Sequence, residues 1–243
     1  MKYGILADIH GNLEALQAVL PLLEHCDEIL CAGDVVGYGP NPNECCALLR
    51  ERNCATIEGN HDLASIGAYD LRWFNDHARA AIEWTAKQLT PENAAFLEAN
   101  PQRLERETFS MAHGSLVSPV EQYLGSVWDV QSTFEAMEKD LCFVGHTHVA
   151  AVFSRGLFNR LGEREVFPAG GTVKLRRNRK YVINCGSLGQ PRDRNPAGSF
   201  GLYDSDAGVV EILRVHYDVA STQQKMAAVG LPKLLITRLA HGT

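Results

Sequence analysis

Three short apolar runs in the first sixty residues each end abruptly at a polar or glycine-containing segment. They cover residues 2–7, 28–32 and 54–58, and runs of this length and composition are typical of buried strands. Amphipathic helical periodicity separates them, over residues 13–24 and about 43–52. Strands that alternate with helices are usually parallel and joined by crossover helices, so the sequence predicts an α/β fold that begins with a parallel sheet.

The predicted secondary structure changes after about residue 148, from mixed helices and strands to short strands joined by turns. Before that point, residues 74–99 are rich in helical periodicity, and a strand near 108–112, a helix near 129–139 and a strand over 141–144 follow. Short strands joined by turns then cover about 149–154, 164–168, 180–184, 198–204 and 208–215. This pattern predicts a second, more antiparallel sheet packed on the first. Helical periodicity returns near 219–227 and 231–239, and because no linker interrupts the chain we expect a single domain over residues 1–243.

Polar side chains cluster in sequence at the points where predicted strands end. They are Asp8, His10, Asp34, Asn60, His61, His113, His146 and His148. The carboxyl ends of parallel strands meet at one edge of a sheet, where loops collect ligands. We therefore expect these eight side chains to converge.

Carboxylate, imidazole and amide oxygen donors on rigid supports suit a hard or borderline divalent cation. Asp8 and His10 stand two residues apart at a strand end and can face the same side, and His146 and His148 repeat this spacing. Two cations about 3.5–4 Å apart commonly share a bridging carboxylate. Asp34 lies centrally in the set and is the candidate bridge.

Each of these motifs is weak when taken alone, because an isolated Asp-x-His or a single histidine is usually structural. The combination is informative, since five of the nine histidines stand at strand ends beside glycines. The other four, His25, His77, His216 and His241, lack this context and receive no role.

Charge and cysteine content restrict the partners and the compartment. The formal net charge of −6 disfavours a nucleic-acid partner, and the one basic cluster, residues 174–180, is predicted to be a solvated hairpin tip. The seven cysteines show no CxxC spacing, which favours reduced thiols. The N-terminal apolar run is too short for a signal peptide or a membrane span, so we expect a cytoplasmic protein without a membrane partner.

The order and spacing of the polar blocks resemble those of the calcineurin-like metallophosphoesterase superfamily. The blocks are Asp8-Ile-His10, Gly33-Asp34-Val-Val-Gly37, Gly59-Asn60-His61-Asp62, His113-Gly114 and Gly145-His146-Thr-His148. Residues 11–16 and 183–193 are similar to the small bacterial and archaeal phosphodiesterase branch, so the resemblance extends to about residue 218.

This resemblance implies a four-layer αββα sandwich of two mixed sheets flanked by helices. It implies that Asp8, His10, Asp34 and His148 hold one divalent metal ion, and that Asp34, Asn60, His113 and His146 hold a second. His61 would protonate the leaving oxygen or stabilise the phosphoryl charge as the general acid. Asp62 would orient His61.

Two departures from the superfamily pattern bear on activity. Protein phosphatases of the superfamily carry Asp and Arg at the third and fourth positions after the bridging Asp, where this chain has Gly37 and Tyr38. The usual phosphate-binding Arg is therefore missing there, which argues against protein phosphatase activity. Arg192 is the candidate replacement, because a guanidinium matches phosphate oxygens bidentately, although a loop salt bridge is an equal alternative. Cys185 stands where the branch more often has Pro and is not interpreted as a nucleophile.

The sequence thus predicts a dinuclear phosphoesterase that hydrolyses phosphodiesters or phosphomonoesters with a metal-bridging hydroxide and His61 as general acid. The metal is Mn, Fe, Zn or Ni, with Mn or Fe favoured in the cell. The substrate is a small phosphate ester, with dinucleoside polyphosphates and cyclic nucleotides among the candidates, selected by loops 67–79, 115–130 and 156–180. The alternative is a non-catalytic binding or scaffold protein with the same fold. Sequence alone does not indicate the oligomeric state.

Overall fold

The computed structural model describes residues 1–159 and 161–243. Within them the strands are β1 Lys2–Leu6, β2 Glu28–Cys31, β3 Ala55–Thr56, β4 Arg103–Glu105, β5 Ser110–Ala112, β6 Leu141–Val144, β7 Ala151–Gly156, β8 Glu163–Val166, β9 Gly171–Lys174, β10 Arg179–Asn184, β11 Gly198–Asp204 and β12 Val209–Val215. The helices are α1 Leu13–Val19, α2 Pro42–Glu51, α3 Asn60–Ser65, α4 Asp76–Gln88, α5 Pro91–Glu98, α6 Gln131–Ala136, α7 Val219–Ala228 and α8 Lys233–Arg238.

The strands form two six-stranded mixed sheets. The first has the order β3-β2-β1-β11-β12-β9, and the second has the order β4-β5-β6-β10-β7-β8. In the first sheet β1, β2 and β3 are parallel, and β11 pairs with the other side of β1 in antiparallel register, with Ile5 opposite Gly201. In the second sheet β5, β6 and β10 are parallel, whereas β7 is antiparallel to β10.

The prediction that the later strands form a separate antiparallel sheet is wrong. Strands β9, β11 and β12 extend the first sheet, while β7, β8 and β10 extend the second. Residues 174–180 therefore connect the two sheets and do not form a hairpin tip. The alternation of side chains along a strand indicates which face is buried but not which strand is the neighbour, and the sequence pattern could not assign these strands to a sheet.

Four layers follow from how the two faces of each sheet are covered. The inner faces pack on each other through Ile5, Phe109, Phe143, Ile183 and other buried side chains of both sheets. The outer face of the first sheet packs on side chains of α1, α2 and α5, and that of the second packs on α6. The predicted αββα sandwich is confirmed.

Local signals explain where several helices begin and end. The side-chain oxygens of Asn12, Asn75, Thr90 and Asp218 each accept a backbone N–H in the first turn of a helix, as N-cap residues do. The first helix was predicted to reach residue 24, but it ends at Val19 and a 3₁₀ turn over Leu20–Leu23 follows. Pro21 stands within that turn, and proline cannot donate the backbone hydrogen bond that continues an α-helix.

The C-terminal helices pack against the rest of the same chain. Leu231, Leu235 and Leu239 are buried in a cluster with Tyr38 and Ala78. Lys225 of α7 forms an ion pair with Glu14 of α1. This packing brings α8 beside the loop after β2. Within the described residues, no helix has the length and apolar character needed to cross a membrane.

Candidate metal centre

The eight polar residues singled out by the sequence converge at the carboxyl ends of β1, β2, β5 and β6 and at the start of α3. All eight are buried. Main-chain hydrogen bonds join the loops after β1 and β2, since Asp8 N donates to Gly33 O at 3.0 Å and His10 N donates to Asp34 O at 2.9 Å. The convergence predicted from strand ends is found.

One group of ligand atoms comes from Asp8, His10, Asp34 and His148, and the chosen atoms all lie within 4.8 Å of one another. The Nε2 atoms of His10 and His148 are 3.0 Å apart. His10 Nε2 lies 3.6 Å from Asp34 Oδ2, and His148 Nε2 lies 3.5 Å from Asp8 Oδ1. Two carboxylates and two imidazoles thus surround one small volume.

A second group consists of Asp34, His113 and His146. His113 Nε2 lies 3.3 Å from Asp34 Oδ2, 3.2 Å from Asn60 Oδ1 and 3.0 Å from His146 Nδ1. Asp34 belongs to both groups through the same oxygen, Oδ2, while its Oδ1 accepts the His61 main-chain N–H at 2.9 Å. This arrangement is compatible with a carboxylate shared by two cations.

The hydrogen bonds of the outer imidazole nitrogens show that the inner ones are free to bind metal. His10 Nδ1 lies 3.1 Å from Val36 O, His148 Nδ1 lies 2.7 Å from Gln190 O, and His146 Nε2 lies 3.2 Å from Glu121 O. A carbonyl oxygen can only accept, so each of these nitrogens carries the proton and the other nitrogen presents a lone pair.

Two lone pairs therefore face each other between His10 and His148 at 3.0 Å. In neutral rings this contact is repulsive, and a cation between the two nitrogens makes it attractive. His113 Nδ1 likewise lies 2.7 Å from Ala32 O, which directs its Nε2 toward Nδ1 of His146. The donor set fits divalent metal ions on these grounds.

Burial and mutual charge perturb the acidic and imidazole groups strongly. Burial and the neighbouring Asp34 carboxylate raise the pKa of Asp8 to about 7. Burial opposes ionisation of Asp34 as well, but the imidazoles of His113, His61 and His10 hold the pKa of Asp34 well below its ordinary value. Burial would lower the pKa of His113, yet Asp34 and Asp8 raise that pKa to about 9. A metal ion binding at His113 Nε2 would displace this proton.

The backbone at the centre adopts an unusual conformation. Asp8, His10, Asp34, His146 and His148 all have φ between 50° and 68°, the left-handed region that residues with a Cβ rarely occupy. Each such residue costs about 1–3 kcal/mol and persists only where surrounding structure imposes it. Strain concentrated on five candidate ligands marks this loop cluster as a functional site.

Comparison with known proteins agrees with this centre. A sequence profile of the calcineurin-like phosphoesterase superfamily domain matches residues 1–208. The chain belongs to the calcineurin-like phosphoesterase superfamily. It is 37% identical over 246 residues to an uncharacterized protein of Methanocaldococcus jannaschii, covering 98% of this chain and 97% of the relative.

Solved structures related to this calcineurin-like phosphoesterase support the same assignment. A metallophosphoesterase from Sphaerobacter thermophilus is 38% identical, with a TM-score of 0.88 and 100% and 99% of the two chains covered. A hypothetical protein from Pyrococcus horikoshii is 21% identical, with a TM-score of 0.80 and 100% and 98% coverage, and shares the fold. Members of this family are phosphoesterases, which supports a hydrolase with a metal-binding centre.

In this member of the calcineurin-like superfamily, the segment after β10 supports the candidate metal centre from outside, a role that sequence reasoning missed. Ser187 Oγ donates to Asp8 O at 2.8 Å, and Gln190 O accepts from His148. Asn184 Nδ2 donates to Gly145 O at 2.5 Å, and Asn12 Nδ2 donates to Gly189 O at 2.8 Å. Within residues 183–193, sequence reasoning considered Arg192 and Cys185 individually and assigned no role to Asn184, Ser187 or Gln190, although polar residues beside glycines were the available signal.

His61 and Asp62 occupy different environments. The described residues offer no hydrogen-bond partner to the buried His61 Nδ1, and the ring packs between Tyr38 and Phe74 at centroid distances of 4.3 and 5.0 Å. Asp62 was predicted to orient this ring. Its carboxylate instead accepts the main-chain N–H groups of Val36 at 2.9 Å and Gly59 at 3.2 Å, so no direct contact with the His61 ring supports the orienting role.

Arg192 lies at the rim of the centre together with a second arginine from α8. Arg192 Nη2 and Arg238 Nη1 both donate to Gln190 Oε1, at 2.9 and 3.3 Å. Arg238 Nε also donates to the main-chain oxygen of Thr243. Among residues 1–159 and 161–243, neither guanidinium forms a salt bridge with an acidic side chain. The predicted alternative, Arg192 in a loop salt bridge, is therefore not found in the described part of the chain.

Proposed function

We propose that the protein is a metal-dependent phosphoesterase with two divalent cations at the centre. The main observation behind this proposal is that the Nε2 lone pairs of His10 and His148 face each other at 3.0 Å. Beside them, Asp34 Oδ2 lies near His10 of the first ligand group and His113 of the second. Divalent cations in such a centre supply Lewis acidity and a water-derived nucleophile at neutral pH. Mixed carboxylate, amide and imidazole donors without thiolate favour Mn or Fe, with Zn and Ni as alternatives.

The chain's own residues then have distinct tasks. Asp8, His10 and His148 define the first site, while Asn60, His113 and His146 define the second, and Asp34 joins the two. The carbonyl partners of the outer imidazole nitrogens fix ring orientation, which keeps the donors in place without rearrangement. The buried setting excludes bulk water from the donors.

His61 acts on the leaving group. Burial and the nearby positive groups Arg192 and His113 lower its pKa to about 4, so the ring is neutral before substrate binds. A phosphate anion within about 4–6 Å favours the charged imidazolium. A bound phosphate anion would thus raise the pKa of His61 again, and a ring that carries a proton can donate it to the departing ester oxygen or hydrogen-bond a phosphoryl oxygen.

Arg192 binds the phosphate in place of the arginine missing after the bridging aspartate. Tyr38 stands at the position where protein phosphatases of the superfamily have that arginine. Its ring centroid lies 5.6 Å from the guanidinium carbon of Arg192, so the two side chains are neighbours beside the centre. Arg238 adds a second positive charge beside it. Both guanidiniums donate to Gln190 Oε1, and Arg238 also donates to Thr243 O, but neither has an acidic side-chain partner among the described residues. Their positive charges can therefore attract a small anionic phosphate ester, nucleotides included.

Hydrolysis of bis(4-nitrophenyl) phosphate and of 4-nitrophenyl phosphate by manganese-loaded protein tests the proposal and separates diesterase from monoesterase activity. Asp34→Asn should lose both metal content and turnover. His61→Ala should retain metal, because His61 belongs to neither ligand group, yet lose about 10²–10⁴-fold in turnover as expected for a general acid. Arg192→Gln should raise KM.

His25→Ala, an exposed histidine outside the centre, is the matched control and should behave as the unaltered protein. Loss of metal from His61→Ala, or unchanged turnover in Asp34→Asn, would contradict the assigned roles. Metal retention without turnover on a panel of phosphate esters would favour a binding or scaffold protein with the same fold.

A further inference from the structure

A cleft of about 290 Å³ opens directly beside the metal centre, on the side of His61. Its floor includes Asn60, His61 and His146, and its walls include Tyr69, Trp73, Phe74 and Tyr123. Clefts of this size that combine aromatic walls with a few polar groups are typical of small-molecule sites. The cleft therefore shares its floor with the proposed reaction centre.

Two separate loops supply the aromatic walls. Tyr69, Trp73 and Phe74 come from the segment between α3 and α4, and Tyr123 comes from the loop after β5. Tyr69 Oη donates to Glu121 Oε1 at 3.1 Å, which links the two loops across the cleft. Both loops fall in ranges predicted to select substrate, 67–79 and 115–130. No described residue of the third range, 156–180, lines this cleft, and Arg160 of that range lies outside the described residues.

The aromatic side chains contact the functional imidazoles. Phe74 packs edge-on against His61 at a centroid distance of 5.0 Å, and Tyr123 stacks on His146 at 3.7 Å with a 29° angle between the rings. Trp73 is 79% exposed and Tyr123 is 54% exposed. Stacking of another planar ring on a large aromatic face that is exposed at the mouth of a cleft lowers the free energy of the complex.

The position of His61 identifies which part of a substrate enters the cleft. A general acid must lie within hydrogen-bond reach of the oxygen that departs. Because His61 lines this cleft, the leaving group extends into it. Arg192 and Arg238 line an adjoining cleft that shares Tyr38, Asn75 and Tyr123 with the first.

We propose that the cleft binds a planar aromatic ring carried by the leaving group, and that the preferred substrates are therefore phosphate esters of nucleosides, phenols or other alcohols that carry an aromatic ring. This inference rests on the proposed phosphoesterase function. Stacking between the ring and Trp73 provides the selectivity, since stacking on an aromatic side chain does not require a particular pattern of hydrogen bonds.

Competitive inhibition isolates the contribution of the ring. With 4-nitrophenyl phosphate esters as reporter substrates, adenosine 5′-monophosphate should inhibit at least about fivefold more strongly than ribose 5-phosphate, as expected for one stacked base. Phenyl phosphate should likewise inhibit more strongly than methyl phosphate. An advantage for phenyl phosphate alone would assign the cleft to aryl esters, and an advantage for the adenine compound would assign it to nucleosides.

Trp73→Ala should abolish most of this advantage while leaving inhibition by ribose 5-phosphate and methyl phosphate unchanged. Its exposure means that the substitution leaves the core intact. Trp128→Ala is the matched control, because Trp128 is 68% exposed and does not line the cleft. Equal inhibition by ring-bearing and ring-free compounds in a protein that hydrolyses the reporter would overturn the inference and leave the proposed function in place.

A second readout does not depend on turnover. Adenosine 5′-monophosphate should quench tryptophan fluorescence of the metal-loaded protein, and Trp73→Phe should remove that quenching. If no ester is hydrolysed, the proposed function fails, yet quenching still tests the cleft. Absence of any Trp73-dependent signal at saturating nucleotide would overturn the inference independently.

Discussion

Replacing Gly59 by alanine tests whether backbone contact fixes the shared carboxylate. An alanine Cβ at this position would lie 2.1 Å from Asp34 Oδ1 and 2.2 Å from the Asp34 main-chain N. Gly59 has φ of −110°, which alanine adopts readily, so the expected effect is one of contact and not of backbone strain. Because one of the two close atoms is backbone, rotation of the Asp34 side chain cannot relieve the overlap.

The size of the effect follows from the displacement. An ordinary contact needs at least 3.4 Å, so the 2.1 Å separation must grow by about 1.3 Å. Overpacking of this kind costs about 1–3 kcal/mol in the free energy of unfolding. A misplacement of about 1 Å at a reaction centre can lower turnover by roughly a hundredfold. Asp34 serves both ligand groups, so the affinity for both cations should fall together.

Three measurements on Gly59→Ala check this reasoning: urea unfolding, metal content after dialysis, and turnover of bis(4-nitrophenyl) phosphate with saturating manganese. Gly125→Ala is the control, since its Cβ would lie 3.7 Å from the nearest atom, an ordinary contact. Circular dichroism establishes that the variant is folded. A folded Gly59→Ala protein with unaltered metal content and turnover would refute the steric argument.

Three further predictions concern stability, thiols and metal. Arg214→Ala should lower the free energy of unfolding, measured in urea, by about 3–5 kcal/mol, because it leaves the buried Asp193 carboxylate without its ion pair. Arg79→Ala, which breaks an exposed pair, should cost less than about 1 kcal/mol; equal costs would contradict the assignment. In a thiol-disulfide assay at pH 8, Cys26 alone should react before denaturation, because it is the one partly exposed thiol. Burial raises the pKa of all seven thiols, but only the other six are also closed off from the reagent. Cys26→Ser should eliminate this fast reaction, and persistence of the reaction would refute the prediction. Manganese at roughly 100 times its Kd should stabilise the protein by about 2.7 kcal/mol, whereas Asp34→Asn should show a much smaller gain; an equal gain would place the ion elsewhere.

The sequence predicted the centre well because its residues stand at strand ends. Asp8, Asp34 and His146 each follow a short apolar run. The carboxyl ends of parallel strands meet at one edge of a sheet, and this does not depend on how the remaining elements pack. The same local rule does not reach Arg238. Its place beside Arg192 depends on how α8 packs on Tyr38 and Ala78, which is a long-range contact with no local signature.

The sheets show where local patterns stop being informative. Short apolar segments bounded by turns identified β11 and β12 as strands, but β11 pairs with β1, almost two hundred residues away in sequence. The cleft was only partly foreseen for a similar reason. Loops 67–79 and 115–130 were expected to select substrate, yet the stacking of Tyr123 on His146 required the positions of both loops relative to the centre.

The candidate metal centre concentrates several interactions that destabilise the folded protein, and this links its stability to its function. Five candidate ligands have left-handed backbone conformations, two carboxylates are buried close together, and imidazole lone pairs face each other. Each of these features destabilises the metal-free protein. Cation binding would make the carboxylate and imidazole contacts favourable, whereas the backbone strain would remain. Hydrogen bonds from Ser187, Asn184 and Asn12 hold the loops in this conformation beforehand. The geometry is therefore imposed by the surrounding fold, and cation binding relieves an electrostatic repulsion without having to reorganise the backbone.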